Sequence, residues 1–308
     1  MKKWSFIFLL VIGLMFLSIY ILIPSKITVE GDRTVGTPIE AVNRILLNRE
    51  AVAKWWPGTI DNDSVYSFKG TTYSIPEKVL LNLPITNKSE SLSSQITSSP
   101  IKDDSCGIQW AYNSISTDYN PINRIHHFFK ARNLKIQLDT ILNSLCAYVS
   151  TTKNIYGYTI TEGRVKDSSL LSTKKMFTHY PSTAEVYQVI DGLQNYISKN
   201  GGIEKEYPML NITAIAPQQY EVMIAIPMLR DIPSNKVYVI KKMILGKLLE
   251  TTVTGGPTAI ANGEIALKNY LIDFHRTSPA IPFQMLVTNR MQVSDTAKWI
   301  TYVKYPVF

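Results

Sequence analysis

The residues able to act as nucleophiles, bases or metal ligands are few and scattered in this 308-residue chain, which holds four histidines and two cysteines. His126 and His127 are adjacent. At 3.6 residues per turn, neighbours on a helix point about 100° apart, so the pair chelates poorly and reads as solvated or capping. Asp103 and Asp104 stand beside Ser105, a composition that favours a turn over an acid–base pair. Cys106 and Cys146 form a disulfide only if their Cα atoms come within about 7 Å; two separate buried thiols fit the sequence as well. GxSxG, HExxH, CxxC, Walker A and GxGxxG patterns are absent. Gly255-Gly256-Pro257 reads as a turn rather than a phosphate cradle. Two cysteines exclude a four-Cys zinc site, and neither a metal nor a cofactor is expected.

Composition narrows the classes further. At 45% hydrophobic and 18% charged residues, the chain is neither disordered nor collagen-like, and its length suits about two domains. A net charge of +8, from 32 basic and 24 acidic residues, would suit an anionic partner. The basic residues are spread out, however, and cluster only as the pairs Lys2-Lys3, Lys174-Lys175 and Lys241-Lys242. With no basic stripe on a helix, the excess reads as solubility charge, and no nucleic-acid partner is expected.

From Trp4 to Ser25 there is no charged side chain. About 20 apolar residues span a bilayer as a helix. A cleaved signal peptide would have an apolar core of about 7–15 residues and a small-residue cleavage site; this run is longer and ends in Leu22-Ile23-Pro24. The expectation is an uncleaved transmembrane anchor over 1–26, in the membrane through residues 4–25. Lys2 and Lys3 stay inside, and residues 27–308 lie on the extracytoplasmic side of the cell membrane.

Beyond it, residues 27–35 read as a strand. Thr37-Pro38 starts a helix that Thr37 caps, and a second short helix runs through 50–54 to Trp55-Trp56-Pro57-Gly58. Strands are expected at 64–68, 70–75, 78–83, 91–98 and 107–115, then a long helix over 123–148 whose apolar face includes Phe128, Phe129, Ile136, Leu138 and Leu142. The order of elements and the spacing Pro38…Trp55-Trp56-Pro57-Gly58 resemble the START-like (SRPBCC, polyketide-cyclase) superfamily over 27–153. The resemblance implies a curved antiparallel sheet gripping the last helix around an apolar cavity. Trp110, Phe128 and Leu142 are its candidate ligand-binding walls, or else plain core.

Residues 160–308 contain a repeat. The segment from Tyr220 to Pro227-Met228 matches that from Trp299 to Pro306-Val307, and Pro208–Thr213 matches Pro282–Thr288. One helix lies upstream of each pair, over 184–197 and 261–272, and one strand upstream of each helix, over 165–177 and 237–253. Asn200-Gly201-Gly202 supplies a helix stop. The repeat, with Leu248…Thr254-Gly255-Gly256 and Trp299-Ile300-Thr301…Tyr305-Pro306-Val307, resembles the GyrI-like effector-binding domain of AraC- and MerR-type regulators. That resemblance implies two βαββ units about a pseudo-twofold, with a cleft for amphipathic, often cationic molecules; some relatives are hydrolases. Where that family carries W-E-x-Y, this chain reads Phe283-Gln284-Met285-Leu286. Alternation puts Gln284 and Leu286 on one face, and without the acid both cation binding and hydrolysis weaken. What remains is an apolar cleft with one amide, and Leu210 and Ile212 on the matching strand complete the candidate site. Gln284 is equally a satisfied edge-strand amide.

The expected fold class is therefore α+β: a transmembrane helix, a helix-grip antiparallel domain and a duplicated βαββ domain. The expected function is a membrane-anchored binding protein for hydrophobic or amphipathic small molecules. It would lack DNA-binding activity, since no helix-turn-helix precedes the effector-type repeat. The rivals are a hydrolase or cyclase acting on a hydrophobic small molecule, and an envelope scaffold with vestigial clefts and an unidentified protein partner.

Overall fold

The computed structural model describes residues 2–62, 64–76, 82–88, 92–115, 120–165 and 169–307. It is a mixed α+β protein with two antiparallel sheets, and the chain divides into two compact units, Met1–Thr151 and Thr152–Phe308.

The first unit begins with α1 (Lys2–Leu22). Arg124 ties it down, donating from Nε to the Ile23 carbonyl (2.6 Å) and lying 5.0 Å above the Tyr20 ring. Among the described residues no helix is long and apolar enough to cross a membrane, which overturns the expected single-pass anchor and the membrane location built on it.

The elements that follow are β1 (Lys26–Val35), α2 (Ile39–Leu46), α3 (Arg49–Trp55), β2 (Thr59–Asn62), β3 (Val65–Phe68), β4 (Thr71–Ser74), β5 (Leu83–Asn87), β6 (Leu92–Lys102), β7 (Ser105–Ile115) and α4 (Pro121–Val149). The seven strands order as β1-β7-β6-β5-β4-β3-β2. Most of the strand expected at 78–83 lies outside the described residues, and β5 starts at Leu83. Thr37 does not cap α2: its Oγ1 donates to the Val149 carbonyl at the end of α4 (2.8 Å), and Pro38 takes the N-cap position. Asn48 caps α3, its side chain accepting from the Ala51 N–H (3.3 Å). Lys69 and Gly70, both at positive φ, make the two-residue turn between β3 and β4 that right-handed strand twist favours.

Helix α4 crosses β1, where Gly31 leaves no room for a Cβ beneath Leu138 and Leu142. The broad apolar face expected of α4 is narrower than its sequence: Leu134, Leu138, Ile141, Leu142, Leu145 and Val149 are buried, whereas Phe128, Phe129 and Ile136 are exposed. The rest of the core is a chain of ring contacts from Trp55 through Trp56, Tyr73 and Trp110 to Tyr112. The 103–104 pair is the turn between β6 and β7, and Cys106 and Cys146 are both free thiols. Burial pushes both thiols up, Cys106 to about 11.

The second unit runs α5 (Thr152–Tyr156), β8 (Ile160–Arg164), β9 (Ser169–Phe177), α6 (Thr183–Lys199), β10 (Met209–Ala216), β11 (Gln219–Met228), β12 (Val239–Lys242), β13 (Lys247–Thr254), α7 (Pro257–Asp273), β14 (Phe283–Leu286) and β15 (Ile300–Val307). The sheet order is β12-β9-β11-β10-β14-β15-β13-β8. It is palindromic: β9-α6-β10-β11 and β13-α7-β14-β15 are equivalent halves that meet at the β10/β14 seam, where Leu210 faces Gln284. The single strand expected over 237–253 is two, β12 and β13. They are one bent strand in pairing terms, because Arg164↔Lys247 and Ser169↔Lys242 keep one register across the break. Residues 160–164 thus run beside 247–251 and residues 169–172 beside 239–242, and each pairing braces one half with a strand that precedes the other.

Helices α6 and α7 cover one face of this sheet. A capping box between Ser182 and Glu185 starts α6, and Gly201 at positive φ stops it, with the Gly202 N–H donating to the Ile197 carbonyl (2.9 Å). The Gly255-Gly256-Pro257 stretch is not a free turn: it starts α7, with Pro257 in the first turn, where its missing N–H costs nothing. Gly263 lets α7 approach the sheet, since a Cβ there would lie 2.5 Å from Val253 Cγ2.

Candidate functional site

Between α6 and α7, over the seam, lies a cleft of about 470 Å³. Each half contributes a wall. From the first come Tyr180, Val186 and Tyr187, with Leu210 and Ile212 on β10; from the second come Ile260, Glu264, Gln284, Arg290 and Trp299. Pro282 and Phe283 close one end. A second cavity, of about 380 Å³, opens on the opposite face of the sheet among Leu170, Met209, Met223 and Phe283. It is mainly apolar, whereas the seam cleft combines apolar walls with charge.

The floor carries a polar row. Gln284 Nε2 donates to Glu264 Oε1 (3.0 Å), and Arg290 Nη2 donates to Gln284 Oε1 (3.4 Å). A carboxylate only accepts and a guanidinium only donates, so the amide can be oriented one way only. Arg290 Nη2 also reaches Thr301 Oγ1 (2.9 Å), and the guanidinium lies 5.0 Å over the Trp299 ring, a cation–π contact.

The frame around the row is stiff. Tyr187 on α6 donates to the Thr288 carbonyl (3.2 Å) and accepts from the Arg290 N–H (2.8 Å). The first half thereby holds the 287–299 loop that delivers Arg290. Helix α7, which carries Glu264, is pinned at both ends: Tyr158 Oη donates to the Ala259 carbonyl (2.9 Å) and Tyr156 Oη to buried Asp273 (2.8 Å).

Electrostatics follow from these positions. Burial pulls the Arg290 guanidinium down from its ordinary range. Burial first, and then the Glu264 charge, pushes Tyr305 up to about 12 and moves Tyr180 in the same direction. The cleft is partly desolvated, so charge–charge effects in it are stronger than in water.

The structure places the sequence-derived candidates as follows. Gln284, Leu210 and Ile212 line the seam cleft. Leu286 shares the Gln284 face but packs in the core beneath α6 with Leu210 and Ile224. In the first unit Trp110 is buried, with Nε1 donating to Ser94 Oγ (2.8 Å), and Leu142 is buried under β1, whereas Phe128 is 38% exposed and packs edge-on against Phe129. Trp110 pairs with Gly31, whose Cβ position meets Leu142, so these two share the core side of the sheet, and Phe128 stands apart from them. The cleft is also not the apolar groove with a lone amide that the missing strand acid implied: an acid is present, but it comes from α7. Glu264, Arg290 and Tyr180 carry no motif in the sequence, and Trp299 stands there only as part of the repeat. The one signal for Glu264 is its position beside the buried stripe Ile260, Gly263, Leu267 of α7.

No protein-family model and no curated protein matches the chain. Solved structures similar to it include the C-terminal domain of EcmrR, at 12% identity over 49% of this chain and 98% of that one, with a TM-score of 0.43. A second is SAV2435 bound to tetraphenylphosphonium, at 13% identity over 48% and 93%, with a TM-score of 0.32. A third is a hydrolase from Listeria innocua, at 9% identity over 48% and 91%, with a TM-score of 0.38. At these values the likenesses assign neither a family nor an activity.

Proposed function

We propose that the protein binds a hydrophobic or amphipathic small molecule in the seam cleft of its 152–308 unit, and that it acts as a binder rather than a catalyst or a nucleic-acid reader. The observation that carries this is the cleft itself: an apolar-walled space of about 470 Å³, shared by two equivalent halves, with the Glu264–Gln284–Arg290 row on its floor. Ligand pockets characteristically combine apolar walls with a few convergent polar groups. Leu210, Ile212 and the Trp299 ring supply apolar contact, Gln284 supplies hydrogen bonds, and Leu286 supports the floor from below. Among the described residues, no serine, cysteine or histidine lines the cleft.

The test is calorimetric titration of octyl-chain amphiphiles into the full chain. Saturable one-to-one binding is expected, accompanied by a change in Trp299 fluorescence. Ile212→Trp, which fills the cleft, should abolish it while leaving the circular dichroism unchanged. Binding that survives in a folded Ile212→Trp protein places the ligand elsewhere, and no binding of any amphiphile removes the reading.

A further inference from the structure

The charges on the cleft floor are of both signs, and neither is neutralised directly. Glu264 accepts from an amide, Gln284, rather than from a cation. Among the described residues neither Glu264 nor Arg290 has an ion-pair partner, and Lys268, one turn beyond Glu264, forms none with it. Arg290 spends Nη2 on Thr301 and Gln284, which leaves Nε and Nη1 without acceptors among the described residues. A guanidinium presents five N–H donors, and those that Arg290 does not use inside the protein are open to an anionic ligand group entering the cleft. Glu264 likewise has lone pairs beyond the one the amide uses. Gln284 holds the two charges apart, one at each end of its amide, and so sets the spacing at which a ligand meets them.

We infer that the cleft selects a dipolar amphiphile. Its cationic group would sit at Glu264, its anionic group at Arg290, and its apolar tail along Leu210 and Ile212. This rests on the proposed binding role and names the ligand class for it. A purely cationic ligand would leave Arg290 unanswered, and a purely anionic one would leave Glu264 unanswered. The Tyr180 ring, which lines the same cleft, suits an alkylated ammonium, which prefers a π surface to water.

Three octyl amphiphiles that differ only in the head separate the possibilities in calorimetric titrations of the full chain: octyltrimethylammonium, octylsulfonate, and the zwitterion octyldimethylammonio-propanesulfonate. The zwitterion should bind at least about tenfold more tightly than either singly charged probe, as expected for one additional charge-assisted contact. Glu264→Gln should reduce it to the level of octylsulfonate, and Arg290→Gln to the level of octyltrimethylammonium. Arg290→Lys, which keeps the charge, should retain part of the preference. If Arg290→Gln fails to fold, the wild-type series and Glu264→Gln still decide. A zwitterion no tighter than the better singly charged probe overturns the inference while the binding role stands; no binding by any of the three removes the binding role itself.

Discussion

Tyr187 shows how one hydroxyl sets the site. It sits on α6 of the first half, yet it donates to the Thr288 carbonyl and accepts from the Arg290 N–H, both in the loop of the second half. Each bond is worth about 1 kcal/mol net, and the Arg290 N–H is partly buried, so leaving it unpaired costs more than a simple deletion. We expect Tyr187→Phe to lower stability by about 1–2 kcal/mol, to speed hydrogen exchange at the Arg290 amide, and to weaken ligand binding while the cleft walls stay intact. Unchanged exchange at Arg290 would show that the loop is held by something else. At this scale strand alternation in the sequence put Gln284 and Leu286 on one face, and of the two only Gln284 lines the cleft. The sequence was not legible for Glu264 or Arg290: an acid on a helix flank and an arginine in an irregular loop have no periodicity that tells them from surface charge.

Among the elements, the segment Trp55-Trp56-Pro57-Gly58 has a steric reason for its composition. A Cβ at Gly58 would lie 1.9 Å from the Ser67 carbonyl oxygen, which is backbone and cannot swing away. Trp56 Nε1 donates to that same carbonyl (3.4 Å), so the α3 exit and β3 are locked face to face. Gly58→Ala should destabilise the first unit by about 3 kcal/mol or more, read as loss of near-ultraviolet dichroism from the aromatic chain at lower denaturant. Gly36→Ala, at a position open for at least 4 Å, should change stability by less than about 0.5 kcal/mol. Equal effects of the two would contradict the steric account. Element types were largely readable from apolar spacing and stop signals. The failures were those that pairing decides: the N-cap role of Thr37 went to its bond with Val149, and the long strand at 237–253 divided because its two ends serve opposite edges of the sheet.

For the whole second unit, the palindromic sheet is closed by exchange. Strand β8 precedes the first half but pairs with β13 of the second, and β12 precedes the second half but pairs with β9 of the first. Neither half has its full complement of ladder hydrogen bonds alone, so the two cannot open independently. We expect residues 152–308 to unfold as one cooperative unit. In native-state hydrogen exchange, the slowest amides of β9 and β13 should then merge onto one denaturant dependence. Two separate isotherms would mean that the halves are autonomous and the exchanged strands only decorate them.

Composition, apolar periodicity and turn residues by themselves determined the α+β class, the long helix near the middle, the duplication of strand–helix–strand–strand and the face on which Gln284 points. These depend on local preferences and on side-chain period, which any single segment carries within itself. Tertiary structure alone decided the rest. It brought Glu264, Gln284 and Arg290 into one row from a helix, a strand and a loop. It sent Trp110 and Leu142 into the core and Phe128 to the surface. Each of these is a relation between segments distant in the chain, fixed by which surfaces pack and which backbone groups pair, and no local pattern encodes the partner.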